Sequence, residues 1–185
     1  MDSKKERLIN ILKAKSYHYR PEAPFKLVSG RESPYYINCK PTTYNAEGMF
    51  LIGEIIYEMV KDLQIQAIGG LTMGADPIAH AVSMVSLVKG RPINSFSVRK
   101  QQKEHGMIKL VDGDVQPGDR VVIVEDVVTT GSSTLQAIDA AQNFGLEIVE
   151  VITLVDREEG GKKAIEEKVP KVEAVITLSE LQQNS

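Results

Sequence analysis

Residues 121–133, VVIVEDVVTTGSS, run from four apolar residues into two adjacent carboxylates, Glu125 and Asp126, and then into a bend of small, mostly hydroxylated side chains. Four branched apolar residues in a row, with no polar alternation, describe a strand covered on both faces. The pattern turns helical over 132–144, and Gly145 stands where a left-handed C-cap would end that helix. A strand, a tight turn and a helix therefore follow one another, which is half of a parallel β-α-β unit.

The rest of the chain repeats the alternation. IQAIGG (65–70), INSFSV (93–98), EIVEVITLVD (147–156) and VEAVITL (172–178) are short, rich in Val and Ile, and bounded by Gly, Pro or charge. Helical periodicity separates them. It recurs over 75–88, and over 46–62 it places Phe50, Ile52, Ile55, Ile56 and Met59 on an apolar stripe; near the N-terminus Leu8, Ile9, Ile11 and Leu12 form another. The expected fold class is α/β, with a mainly parallel sheet flanked by helices. No repeat or linker divides the chain, so 1–185 reads as one domain. Its first 45 or so residues form a helix and a small N-terminal hood, and the hood carries SGRESPYY (29–36).

Composition excludes several function classes. Of 185 residues 42% are hydrophobic, and 22 Lys plus Arg stand against 25 Asp plus Glu, a net charge of -3. A broad nucleic-acid-binding face is disfavoured. No apolar run reaches the length of a membrane span, and no signal-peptide pattern is present. The single cysteine, Cys39, has no internal disulfide partner and reads as an inert, half-buried thiol, so the expected compartment is cytoplasmic. No Cys or His spacing suggests a metal held by protein ligands alone.

Ligands of a parallel sheet gather beyond the carboxyl ends of its strands, which is where Glu125 and Asp126 fall. The backbone amides of TTGSS, the start of the next helix and the neighbouring hydroxyls can converge on a phosphate. Neither the P-loop pattern nor the dinucleotide fingerprint is present. Two acids beside a phosphate make sense only if they meet donors on the same molecule, such as ribose hydroxyls, or a sugar ring gaining positive charge.

VVIVEDVVTTGSS resembles the motif that binds phosphoribosyl diphosphate (PRPP) in type I phosphoribosyltransferases, and RKQQKEHG (99–106) resembles the catalytic loop of the orotate phosphoribosyltransferases. FKLVSGRESPYYIN (25–38), AIGGLTMGADPIAHA (67–81) and TLVDREEGG (153–161) resemble that family's base-approaching, pyrophosphate-contacting and base-recognition segments. The resemblance implies the type I phosphoribosyltransferase fold and a Mg²⁺-dependent transfer of ribose 5-phosphate from PRPP to orotate, a step of pyrimidine (UMP) biosynthesis. It also implies a homodimer whose basic loop serves the neighbouring subunit. Carried over residue by residue, PRPP would be bound by Arg99, Lys100, Lys103 and His105 and by Glu125, Asp126, Val127, Val128, Thr129, Thr130, Gly131, Ser132 and Ser133. Lys103, Glu125 and Asp126 would be catalytic, and orotate would meet Thr129 and Arg157. Mg²⁺ would be held mainly by substrate oxygens, as this ion prefers.

Arg157 has a plainer alternative, a salt bridge to Glu158 or Glu159. Tyr35, Tyr36 and Met73, taken singly, read as packing residues. The chain also departs from the family: Val28 and Gly74 stand where many members carry lysine, and Lys26 is a candidate substitute. Two alternatives share the PRPP motif, a phosphoribosyltransferase for another base and a non-catalytic nucleotide sensor that binds RNA.

Overall fold

The structure is a computed structural model that describes residues 2–26, 32–100 and 110–183. Helix α1 (Asp2–Lys15) leads into four short strands, β1 (Tyr17–Tyr19), β2 (Phe25–Lys26), β3 (Glu32–Ser33) and β4 (Tyr35–Ile37), which pair antiparallel as β1 with β4 and β2 with β3. Their rings stack: Tyr35 lies 5.9 Å from Tyr17 and 5.0 Å from Tyr19, and Tyr36 lies 5.4 Å from Phe25. These aromatic pairs hold together strands too short to be stable alone.

Next come α2 (Lys40–Thr43), α3 (Ala46–Val60), β5 (Ala67–Leu71), α4 (Asp76–Val88), β6 (Asn94–Val98), β7 (Val111–Gly113), β8 (Arg120–Val128), α5 (Ser132–Phe144), β9 (Glu147–Asp156), α6 (Gly161–Glu166), β10 (Val172–Thr177) and α7 (Leu178–Gln183). Six strands form one sheet in the order β10-β9-β8-β5-β6-β7. It is parallel throughout except for β7, which runs antiparallel along the β6 edge. The sheet is the mainly parallel, helix-flanked one that the alternation of segments implies.

The pleat of β8 sorts its side chains between two cores. Val122 and Val124 pack with α1, α3 and α4 on one face, while Val121 and Ile123 pack with α5 on the other. Gly145 has φ 99° and closes α5 as expected. Phe50 departs from its expected stripe. It is 57% exposed, because α3 buries Leu51, Ile52, Ile55, Ile56 and Val60 and turns Phe50 away from them.

The connections place a ligand crevice. From β5 the chain moves to β6 on one side, and from β8 it moves to β9 on the other, so β5 and β8 flank the point where the winding reverses. They pair only over Ala67–Gly69 and Val121–Ile123, although β8 runs on to Val128 against β9. Beyond Ile123 the two strands part company.

Candidate active site

Where β5 and β8 diverge, a cavity of about 360 Å³ opens, lined chiefly by Lys40, Met73, Gly74, Lys100, Glu125 and Asp126. The two acids are neighbours in sequence but reach it from opposite sides of the pleat. Glu125 continues the α5 face, is 5% exposed, and accepts a hydrogen bond at Oε2 from the Thr134 hydroxyl at 3.2 Å. Asp126 turns to the other face. A Cβ built on Gly74 would sit 2.5 Å from its Oδ1, so a side chain at position 74 would require the Asp126 carboxylate to shift. The Asp126 carboxylate also accepts the Val127 amide at 3.0 Å.

Burial, followed by the charge of Asp126, pushes the Glu125 carboxyl up from 4.5 to about 8, while the Thr134 hydrogen bond draws it partly back. Glu125 therefore holds its proton to higher pH than an exposed carboxyl does. Cys39 lies directly beneath, fully buried rather than half-buried, with its thiol 3.6 Å from the Asp126 carbonyl. Burial and the two nearby acids raise that thiol well above its ordinary value, which suits a packing role and not a nucleophile.

The turn after β8 forms a second, smaller hollow of about 120 Å³, lined by residues 127–134. Thr129, Thr130, Gly131, Ser132 and Ser133 are thus gathered with Val127 and Val128, as expected. Gly131, with φ 83°, is the N-cap of α5, and no side chain caps the helix. A serine cap would have answered the first-turn amides internally. Without it those amides face the hollow, the arrangement an anion requires. Gly161 makes the close approach: a Cβ there would fall 2.6 Å from the Thr129 carbonyl and 2.8 Å from the Gly131 amide nitrogen.

The remaining expected residues divide. Lys100 lines the main cavity. Arg99 instead pairs with Asp112 and borders a separate hollow of about 470 Å³ beside α5. Lys103 and His105 lie outside the described residues, as does the turn containing Val28. Arg157, immediately after β9, is 5% exposed; it is paired with Glu159 at 2.8 Å and donates to the Ser33 hydroxyl at 3.2 Å. The plainer expectation of a salt bridge is therefore met, yet the guanidinium is not satisfied by it. Its Nε is buried and has no hydrogen-bond acceptor among the described residues. Met73 is 59% exposed at the cavity rim and is not a packing residue. Lys26 sits on the β2–β3 ribbon and is not among the residues lining either hollow beside β8.

Two residues that sequence reading passed over are Thr134 and Lys40. Thr134 falls one residue beyond the quoted motif, and its part depends on the first turn of α5 lying over Glu125. Lys40 carries no local signal, since only the tertiary fold sets it across from the β5–α4 loop.

Among the described residues no cluster of three or more His, Cys, Asp or Glu could hold a metal ion. The cavity offers hard carboxylate oxygens and no converging nitrogen or sulfur ligands, which fits Mg²⁺ carried in on a substrate's oxygens rather than a resident transition metal.

Comparison with known proteins agrees with this geometry. The phosphoribosyl transferase domain model matches residues 43–178. The orotate phosphoribosyltransferase of Aquifex aeolicus is 47% identical over 177 residues, covering 96% of this chain and 97% of the relative. The Mycobacterium tuberculosis orotate phosphoribosyltransferase in complex with Fe(III) dicitrate superposes with a TM-score of 0.84 at 38% identity, covering 97% of this chain and 99% of that one. The same enzyme in complex with PRPP gives 0.77 at 33% identity, covering 97% and 92%. With its paired strand-end acids, its uncapped hydroxyl-rich turn and relatives this similar over nearly their whole length, the chain belongs to the orotate phosphoribosyltransferases of the type I phosphoribosyltransferase family.

Proposed function

We infer that the chain transfers ribose 5-phosphate from PRPP to orotate, releasing pyrophosphate and forming orotidine 5-phosphate for pyrimidine synthesis. The observation that carries this reading is the crevice at the winding reversal, where Glu125, Asp126 and the uncapped turn 129–133 converge.

Each part of the donor has a chemical counterpart there. The 5-phosphate takes the amides of the turn and the hydroxyls of Thr130, Ser132 and Ser133, with Val127 and Val128 as its apolar floor. The ribose hydroxyls meet Glu125 and Asp126. Orotate's ring nitrogen attacks C1 from the face opposite pyrophosphate, and the electron pair of the breaking C1–O bond leaves with pyrophosphate. Positive charge building on the ring is stabilised by Asp126 and favours ionisation of Glu125. Lys100, with Lys103, Arg99 and His105 of the basic loop, balances charge on the leaving group; Arg99 must first exchange its Asp112 partner. Mg²⁺ would be carried in on the donor's oxygens beside the Glu125 and Asp126 carboxylates and would supply further positive charge there.

Orotate's carboxylate is the acceptor that the buried Arg157 Nε lacks, and Thr129 borders the same end of β8. The basic loop acts across a homodimer in this reading. Residues 1–185 work as one domain in the cytoplasm, with the segment to about residue 45 as its hood. PRPP-dependent loss of orotate absorbance with the purified chain tests the activity. No consumption of orotate in the presence of Mg²⁺ would overturn it.

A further inference from the structure

The crevice has a cation that the reading above leaves without work. Lys40 lines the same cavity as Thr72, Met73, Gly74 and Asp126, and it reaches there from α2, across from the β5–α4 loop. Its backbone is pinned. Cys39 before it is fully buried, the Lys40 amide donates to the Asn38 side chain at 3.2 Å, and Thr42 behind it shares a buried hydrogen bond of 2.7 Å with Ser16. The ammonium itself is exposed and has no ion-pair partner among the described residues. An unpaired lysine on an ordered turn at the mouth of a pocket is a preorganised donor.

The opposite wall shows why such a donor is needed. Residues 71–74, Leu-Thr-Met-Gly, line the cavity and carry no charge. Gly74 contributes no side chain, and one there would have to displace the Asp126 carboxylate. A diphosphate in this crevice would face Asp126 on one side and a neutral loop on the other, and apart from Lys40 only Lys100 among the described lining residues could meet it. Lys40 is the other cation lining the cavity.

We propose that Lys40 binds the pyrophosphate group of the phosphoribosyl donor, supplying from α2 the positive charge that the β5–α4 loop does not. This rests on the orotate phosphoribosyltransferase reading and assigns a residue within it. Lys40 contacts the leaving group before and after transfer, so it strengthens PRPP binding and pyrophosphate retention alike and leaves the base site untouched.

Titration calorimetry of the purified full-length chain with magnesium pyrophosphate decides the matter. Lys40→Ala is expected to raise the pyrophosphate Kd and the KM for PRPP by about tenfold to a hundredfold, the loss of one charge-assisted hydrogen bond. The KM for orotate should stay within about twofold, Lys40→Arg should recover part of the affinity, and Lys26→Ala should change nothing. An unchanged pyrophosphate Kd in Lys40→Ala, or an equal rise in the KM for orotate, overturns the assignment. Should the alanine variant melt early, Lys40→Gln is read by the same titration. If the wild-type chain consumes no orotate while Lys40→Ala still loses pyrophosphate, the substrate reading falls and the Lys40 assignment stands. If turnover is normal and pyrophosphate affinity is unmoved, the assignment alone falls.

Discussion

The hydroxyl of Thr134 donates to Oε2 of Glu125 at 3.2 Å, joining the first turn of α5 to the strand it follows. This is a buried acid served by neutral donors, the Thr134 hydroxyl and the Asp126 backbone amide, which do not offset the cost of burying the charge. Burial leads the causes that raise Glu125 to about 8, with Asp126 second.

Glu125 therefore makes stability depend on pH. Between 4.5 and about 8 the unfolded chain has released this proton while the folded chain keeps it, so this group's contribution is full below 4.5 and is lost as pH rises through 8. Glu125→Gln should melt higher than the wild type at pH 8.5 and match it more closely at pH 5. Each kcal/mol regained is worth roughly 2–4 °C in a chain of this size. Thermal melts at the two pH values read the difference. A uniform shift at both would mean that Glu125 is not titrating.

The thiol beneath Asp126 should be chemically silent. Cys39 is fully buried and its ionisation is suppressed by burial and by both acids. Iodoacetamide at pH 8 should leave the native chain unlabelled over a time in which the urea-unfolded chain is labelled completely, as counted by mass spectrometry. Ready labelling of the native form would show that α2 opens.

If Arg157 meets the base and not the sugar, its loss should separate the two substrates. Arg157→Ala should raise the KM for orotate by about tenfold to a hundredfold, the worth of a charge-assisted hydrogen bond, and move the KM for PRPP by about twofold at most. Steady-state kinetics with each substrate varied in turn make the separation. Equal effects on both would return Arg157 to a structural role through Glu159 and Ser33.

Lys103 tests the loop and the dimer together. Lys103→Ala should lower kcat by about a hundredfold or more, the scale of losing one preorganised partner of transition-state charge, with little change in PRPP affinity. Mixing it with Arg157→Ala under subunit exchange should restore part of the activity, because one site of each mixed dimer keeps both residues. No recovery after demonstrated exchange would argue against a shared site.

The sheet was legible because β8, β9 and α5 obey local rules: unbroken Val and Ile for doubly covered strands, and Gly145 for the helix end. The turn at 129–133 was legible for the same reason, as its geometry lies within one short segment. Phe50 misled because α3 is apolar on more than one side and periodicity alone does not choose among them. Met73 read as a packing residue although the loop holds it exposed at the cavity rim. The Arg157 bond to Ser33 and the sharing of one cavity by Lys40 and Gly74 join distant segments, which no local pattern encodes.

β8 sits mid-sheet, yet it comes late in the chain: Arg120 meets Gln66 across 54 residues of sequence. Synthesis therefore delivers the β5–β6 wall well before the strand that faces it. A ribosome-bound nascent chain holds Lys40, the β5–α4 loop and Lys100 but lacks Glu125 and Asp126, and substrate affinity should emerge abruptly, when β8 pairs with β5 and then with β9.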